Sequence, residues 1–232
     1  MASRLTEFDN PGGADIAGRT KRQVRPRHAA SLLVWRDGRD GPELLMGRRH
    51  KSLRFMPDVM VFPGGRVDPG DAAASATSEL RPEVLAGLSR VGGTRLARAC
   101  AMAAARELLE ETGLSLGDPP ALAALDYLCR AVTPTGRPMR FNARFLIAPA
   151  SAVRGNIVSS GELEELGFYA ATAARAAGMA SITAVILEEF LAWHSMPATE
   201  RAGRTPARFL GMNQRSLERP ITPPAPRPRP PA

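Results

Sequence analysis

The chain has 232 residues, of which 44% are hydrophobic, and a formal net charge of +8 at pH 7. A chain of this length can bury a sizeable core as one large domain or two small ones, and the composition is that of a soluble globular protein. No apolar run approaches the ~18 residues that a transmembrane helix needs, and the first residues lack the apolar core of a signal peptide. The only two cysteines, Cys100 and Cys129, lack metal-type spacing. Free thiols in a reducing cytoplasm are therefore expected.

Much of the positive charge lies in the terminal segments of the chain. Residues 1–26 are predicted to form a flexible basic leader, and residues 199–232 a disordered tail rich in Pro and Arg. A basic chain can attract nucleic acid, but it can equally attract small polyanions such as diphosphates. Aromatic residues make up only 5% of the chain, which argues against a stacking platform for nucleic acid.

Between these ends, residues 27–198 are predicted to form one folded domain. Apolar runs at 29–35 and 43–48 predict a hairpin, and a basic loop then leads to a short strand that ends at Pro63-Gly64-Gly65. A strand ending in Pro-Gly-Gly leaves backbone amides and carbonyls open to a ligand. The later expected elements are a helix from Pro82, a helix over 101–114, helix or strand material over 122–132, a strand over 140–148, a polar turn over 159–165, a brief strand over 166–169 and an amphipathic helix over 182–194.

The predicted helix over 101–114 carries three acids on one face. Glu107, Glu110 and Glu111 lie at i, i+3 and i+4, so their carboxylates are neighbours and repel one another. Glu110 and Glu111 also lie near the helix C-terminus, where the helix dipole disfavours anions. Three hard oxygen donors in this arrangement suit Mg²⁺ or Mn²⁺. The alternative is a solvated acidic face in which Arg106 pairs with Glu110.

Two segments together resemble the Nudix box, Gly-x5-Glu-x7-Arg-Glu-U-x-Glu-Glu-x-Gly-U, where U is a bulky aliphatic residue. Residues 106–114, Arg-Glu-Leu-Leu-Glu-Glu-Thr-Gly-Leu, match its second half at every defined position. Residues 65–71 match the first half, with Asp71 in place of Glu. The two halves are separated by 34 residues instead of seven, so residues 72–97 are an insertion. This insertion is interpreted either as a surface excursion or as a lid that shapes the substrate site.

The resemblance implies a fold and an activity. The expected fold class is α/β (α+β): a Nudix fold with a mixed β-sheet sandwiched between helices and an inserted helical segment inside the box. The expected activity is hydrolysis of a diphosphate bond in a nucleoside diphosphate linked to another moiety, with Mg²⁺ or Mn²⁺ as cofactor. The insertion and segments 130–134 and 140–145 are similar to the branch that contains coenzyme A and acyl-CoA diphosphatases. A CoA-type substrate therefore comes first, while ADP-ribose and dinucleotides such as NADH stay open.

The resemblance also implies roles for individual residues. Glu110 and Glu111 are the expected main metal ligands, together with the carbonyl of Gly64. Glu107 is expected to orient or deprotonate water or to touch a second metal, and Arg106 to hold a glutamate of the cluster in place. The remaining candidates lie around the box: Glu162 as a further catalytic acid, Arg48, Arg49 and Arg54 as phosphate contacts, and Gly65 as the substrate-side glycine that lets the loop curl onto the helix.

Two rival functions stay open. The first is a non-catalytic Nudix-fold module that binds a nucleotide or a protein through its basic ends and Pro-rich tail; the intact glutamate set argues against it. The second is an RNA-processing enzyme such as a cap hydrolase, although no RNA-binding motif accompanies the basic leader. The expected partner is a small nucleotide-type diphosphate rather than a membrane, and a homodimer is left open.

Overall fold

The computed structural model describes residues 24–53 and 56–218. The strands, in chain order, are β1 (Arg27–Gly38), β2 (Gly41–Arg49), β3 (Met60–Val61), β4 (Gly64–Arg66), β5 (Asp126–Val132), β6 (Phe141–Pro149), β7 (Leu163–Ala170), β8 (Ala207–Leu210) and β9 (Gln214–Leu217). The α-helices are α1 (Pro82–Ser89), α2 (Gly93–Thr112), α3 (Ala171–Ala176), α4 (Ser181–Ser195) and α5 (Ala198–Gly203). Among these described helices, none has both the length and the apolar character to span a membrane.

The strands form one mixed sheet. Strand β1 pairs antiparallel with β2 and β4 and parallel with β6, and the order along the sheet is β3-β2-β1-β6-β5-β8-β9. Strand β4 pairs with β1 off this path, and β7 pairs with β2. Residues 29–34 of β1 are buried apart from Ser31, as expected of a central strand covered on both faces. The predicted opening hairpin is thereby confirmed as β1 and β2.

The sheet lies between two helical layers. Successive side chains of a strand face opposite sides, so Leu32 and Val34 pack with Ala104 and the rest of the α1–α2 layer. Leu33, between them, packs on the other face with Phe190 of α4. This mixed α+β architecture confirms the predicted fold class.

The helix that carries the acids is longer than predicted. It begins at Gly93 instead of position 101 and ends at Thr112, with Gly113 in the left-handed conformation after it. The extension is exposed over residues 93–95, whereas Ala97 and Cys100 are buried in the core. The predicted insertion over 72–97 therefore contains α1 and also the first turn of α2.

The prediction that order ends near position 199 is wrong for the residues up to 218. Strand β8 pairs parallel with β5 and antiparallel with β9, and Phe209 is buried in the cluster beneath α4. Glu218 is buried and accepts hydrogen bonds from Tyr127 and Arg130 of β5. A long-range pairing of two short strands leaves little periodic signal in a Pro- and Arg-rich sequence. Residues 1–23 of the predicted leader and 219–232 of the predicted tail lie outside the described residues.

Candidate active site

The Pro-Gly-Gly bend and the last turns of α2 are in contact, although the insertion separates them in the sequence. The backbone amide of Gly64 donates a hydrogen bond to Oε2 of Glu111 at 2.8 Å. A Cβ atom on Gly65 would lie 2.2 Å from Oε1 of Glu107, so only glycine allows the backbone to approach the carboxylate this closely. Strand β4 reaches this position because it pairs with β1 beneath α2.

Glu111 is the most buried acid of the cluster, at 4% exposed. Burial raises the pKa of its carboxyl group to about 8, and the charges of Glu107 and Glu162 add to the rise. The Gly64 amide and the charge of Arg49 act in the opposite direction, since both stabilise the ionised form. Ionised Glu111 is therefore under-compensated by the neighbouring groups, and a cation at this place would relieve the cost.

Glu107, like Glu111, has a pKa raised by burial, and Glu162 lies near enough for its charge to raise that pKa further. Burial raises the pKa of Glu107 against the opposing charge of Arg106, and Glu110 and Glu162 raise it further. Glu162 is exposed at the start of β7, and its charge acts on both Glu107 and Glu111. Glu110 is the outermost acid of the helix, with 55% of its side chain exposed.

Arg106 connects the two halves of the box. Its Nη1 donates to Oε1 of Glu107 at 2.9 Å and to Oε2 of Glu110 at 3.0 Å, while Nη2 donates to the carbonyl of Arg66 at 2.9 Å. Its Nε donates to Oδ1 of Asp71 at 3.1 Å. Burial opposes the positive charge of Arg106, but the hydrogen bonds and charges of Asp71 and Glu107 outweigh burial and raise its pKa. Arg106 thus holds two of the glutamates in one orientation.

A divalent cation requires several oxygen donors at one point. Within residues 24–53 and 56–218, no three His, Cys, Asp or Glu side chains lie close enough to hold a metal ion together. Arg106 engages Glu107 and Glu110 at the same time. The chemistry of the site nevertheless fits a hard cation, because two carboxylates have raised pKa values and the charge of a third, Glu162, acts on both. A metal would need Glu110 to turn away from Arg106.

The predicted phosphate-binding arginines divide into different environments. Arg49 lies near enough to Glu111 for its charge to lower the pKa of that acid. Arg48 donates instead to Oε2 of Glu165 at 3.0 Å and to a backbone carbonyl after α3 at 2.9 Å. Neighbouring residues of a strand face opposite sides, so the position of Arg48 does not support the substrate contact predicted for it. Arg54 lies outside the described residues.

Two further residues support the site and were given no such role from the sequence. Asp71 is only 5% exposed and anchors Arg106; its place at the Glu position of the box was the available signal. Arg98 of α2 donates to the carbonyls of Ala72 and Ala74 at 3.0 and 2.8 Å and pairs with Glu79. No spacing in the sequence predicts these contacts, which fasten the inserted segment to α2.

No protein-family model matches the sequence, and no curated protein matches it either. Solved structures do resemble it. A Nudix hydrolase from Alicyclobacillus acidocaldarius superimposes with a TM-score of 0.57 at 23% identity, covering 79% of this chain and 98% of that one. A MutT Nudix hydrolase from Burkholderia pseudomallei gives 0.47 at 20% identity, covering 72% and 98%. The Nudix domain of Shewanella oneidensis NrtR, complexed with ADP ribose, gives 0.48 at 12% identity, covering 77% and 95%.

The first of these comparisons shows that the chain has the fold of a Nudix hydrolase. The two segments that resemble the Nudix box lie together in that fold, at the Gly64–Gly65 bend and the C-terminal half of α2.

Proposed function

We propose that this protein is a Nudix-type hydrolase that cleaves a diphosphate bond in a nucleoside diphosphate linked to another moiety, with Mg²⁺ or Mn²⁺ as cofactor. The observation that carries the proposal is the contact of the Gly64–Gly65 bend with the partly buried carboxylate of Glu107 and the buried carboxylate of Glu111. The similarity of the fold to the Alicyclobacillus hydrolase supports the same conclusion.

A diphosphate resists hydrolysis because its charged oxygens repel a nucleophile and because the leaving group carries negative charge. A divalent metal held at this site would supply charge neutralisation for both and would make a water molecule more acidic. Glu110 and Glu111 would hold the ion together with the carbonyl oxygen of Gly64, and Glu107 adds a carboxylate beside them. Arg106 keeps Glu107 turned toward the bend.

The remaining groups act on water and phosphate. The candidate general bases are Glu162 and Glu107, whose charges both act on Glu111; a carboxylate oxygen of one of them accepts the proton of the attacking water. Burial raises the pKa of Glu107 and so increases its affinity for a proton, which suits a general base. Arg49 binds a phosphate oxygen from the strand beside the cluster. Glu162→Gln and Glu107→Gln distinguish the two bases, since loss of the base removes the acidic limb of the pH profile of kcat.

The substrate that the proposal places first is coenzyme A or an acyl-CoA. Its support is the insertion within the box and the similarity of segments 130–134 and 140–145 to the coenzyme A branch. Arg130 and Arg144 of these segments are buried. We therefore assign direct contact with the substrate to other residues. ADP-ribose and NADH are the next candidates.

One observation favours a different class of function, a non-catalytic nucleotide-binding module. Arg106 engages Glu107 and Glu110, and in the part of the chain that the structure describes no three acidic or imidazole side chains converge on one point. A chain that only binds nucleotides would keep this closed arrangement.

Hydrolysis assays separate the two functions. The full chain is incubated with coenzyme A, acyl-CoA, ADP-ribose and NADH in Mg²⁺, in Mn²⁺ and in EDTA, and products formed in ¹⁸O-water are identified by mass spectrometry. We expect metal-dependent cleavage that falls by ~10²-fold or more in Glu111→Gln. Glu164→Gln, an exposed acid of β7 that pairs with His50, is the matched control and should keep full activity. Equal inertness of all three proteins on every diphosphate would overturn the enzyme and favour the binding module.

A further inference from the structure

The N-terminus of α2 carries uncompensated positive charge. Its N-cap is Gly92, which supplies no side-chain hydrogen bond, and its first turn contains no acid. Residues 92–95, including Arg95, are exposed. The first amides of a helix have no intrahelical partner and form the positive end of the helix dipole. A solvated helix normally places an acid here, so this end attracts an anion.

A buried arginine lies under the same helix end. Arg144 of β6 is 0% exposed, and its Nη2 donates to the carbonyl of Val91, two residues before α2, at 2.5 Å. Its Nε is buried and has no hydrogen-bond partner in the described part of the chain. Within residues 24–53 and 56–218, Arg144 forms no ion pair with a carboxylate, in contrast to Arg106 and Arg130. A buried charge without a counter-ion is costly.

The neighbours of Arg144 add positive charge rather than cancelling it. Arg130 lies directly opposite Arg144 in the pairing of β5 with β6. Its counter-ion, Glu218, is already shared with the hydroxyl of Tyr127. His28 of β1 has its Nδ1 atom 3.5 Å from Nη1 of Arg144. Burial is the main cause that lowers the pKa of His28, and the positive charges of Arg144 and Arg130 lower it further. The protonated form of this imidazole is therefore disfavoured by its positively charged neighbours.

We propose that the N-terminus of α2, His28 and Arg144 form a second binding site, which takes a phosphate-type oxyanion. The exposed imidazole of His28 and the first amides of α2 contact the anion, and Arg144 supplies the buried positive charge beneath it. Gly93 and Glu107 are fourteen positions apart on α2, so this site lies about 20 Å along the helix from the carboxylate cluster. It is therefore separate from the proposed catalytic site and does not depend on it.

Inorganic phosphate is the probe, with the full chain in EDTA and with NaCl at matched ionic strength as the reference. The protein has three histidines, so its imidazole proton signals can be followed by NMR, and His28→Gln assigns the relevant one. We expect phosphate to shift the His28 signal in a saturable manner and to leave the His194 signal in place. The melting temperature should rise by a few degrees over the same concentrations.

Variants test whether the binding belongs to this site. Arg144→Met should abolish the effect of phosphate on the melting temperature, and His28→Gln should weaken phosphate binding by about threefold or more, as loss of one hydrogen bond does. His194→Gln, a histidine remote from α2 that pairs with Asp37, should bind phosphate normally. If Arg144→Met fails to fold, His28→Gln decides the question. A melting-temperature rise that is equal in His28→Gln and wild type, a shift of the His50 signal instead, or no saturable response would each overturn the proposal.

Discussion

Glu111 is an acid whose surroundings favour its neutral form. It lies between the sheet and α2, and the Gly64 amide is the hydrogen-bond donor recorded for its carboxylate. Glutamine has the same shape and can accept that hydrogen bond, so Glu111→Gln removes the charge while it keeps the contact. The substitution therefore separates the cost of ionisation from the packing of the side chain.

The pH dependence of stability tests this cost. The folded pKa of about 8 lies above the ordinary value of 4.5, so between these values the folded chain keeps a proton that the unfolded chain has lost. The free energy of unfolding of the metal-free protein should therefore fall as pH rises from about 5 to 8. Glu111→Gln should remove most of this slope and be more stable at pH 8, on the order of 1–3 kcal/mol. Urea unfolding in EDTA at several pH values measures both quantities.

Glu110→Gln is the matched control, because Glu110 lies on the same helix with its carboxylate half exposed. It should leave the slope nearly as it is in the wild type. Two results would contradict the claim that ionised Glu111 destabilises the metal-free fold. One is a wild-type stability that rises over this pH window, and the other is a Glu111→Gln protein that is less stable than wild type at pH 8.

The sequence predicts the chemistry of the site better than its contacts. Helical spacing predicts that Glu107, Glu110 and Glu111 share a face; all three lie on α2, but Glu111 is buried while the side chain of Glu110 is 55% exposed. The spacing does not predict that Arg106 is shared by Glu107, Glu110 and Asp71. That arrangement depends on how the insertion folds back, and local periodicity carries no information on such a long-range contact.

At the scale of elements, helix α2 carries its charges against its own dipole at both ends. Acids occupy its C-terminal turns, its last turn has no basic residue, and its first turn has no acid. Both placements disfavour the isolated helix, and burial of its Ala-rich middle against the sheet offsets them. The acids at the C-terminal end of α2 favour a bound cation, and the uncompensated N-terminal end favours a bound anion.

Arg98 of α2 holds the inserted segment against the helix through hydrogen bonds and an ion pair. Arg98→Met removes the hydrogen bonds to the carbonyls of Ala72 and Ala74 and the pair with Glu79. We expect faster hydrogen exchange in residues 72–79, with α1 and the middle of α2 nearly unchanged, because Val84 and Leu88 still anchor α1 in the core. Hydrogen–deuterium exchange with mass spectrometry measures this.

Arg95→Met, which changes an exposed arginine of the same helix, controls for loss of a positive charge and should leave the exchange of residues 72–79 as in wild type. Unchanged exchange in Arg98→Met would show that the segment is held by other contacts.

The elements that the sequence predicts well are those with strong local patterns. The β1–β2 hairpin, β6 and α4 follow from alternation or from a helical period, and their observed bounds agree within a few residues. Strands β8 and β9 have four residues each, and β8 pairs with a strand far away in the sequence. A pattern this short does not distinguish a strand from a loop.

At the scale of the whole molecule, the segment after α4 completes the fold. Ala207 and Phe209 cover the apolar cluster under α4, and Glu218 neutralises Arg130. A chain ending at residue 218 keeps both of these contacts and serves as the control for truncation. A chain ending at residue 198 leaves Arg130 unpaired in a buried position, and its melting temperature should fall by about 10 °C or more. Circular dichroism melts compare the three proteins, and equal melting of the shortest chain would contradict this view.

The proposed activity requires that the carboxylates of α2 and the glycine bend bind a divalent cation. Titration of the full chain with Mn²⁺, followed by the loss of the free-ion EPR signal, measures it without any choice of substrate. We expect wild type and Glu164→Gln to bind Mn²⁺ at a saturable site, and Glu111→Gln to bind Mn²⁺ with ~10²-fold lower affinity. Equal Mn²⁺ binding by Glu111→Gln and wild type, or no saturable binding by the wild-type protein, would contradict it.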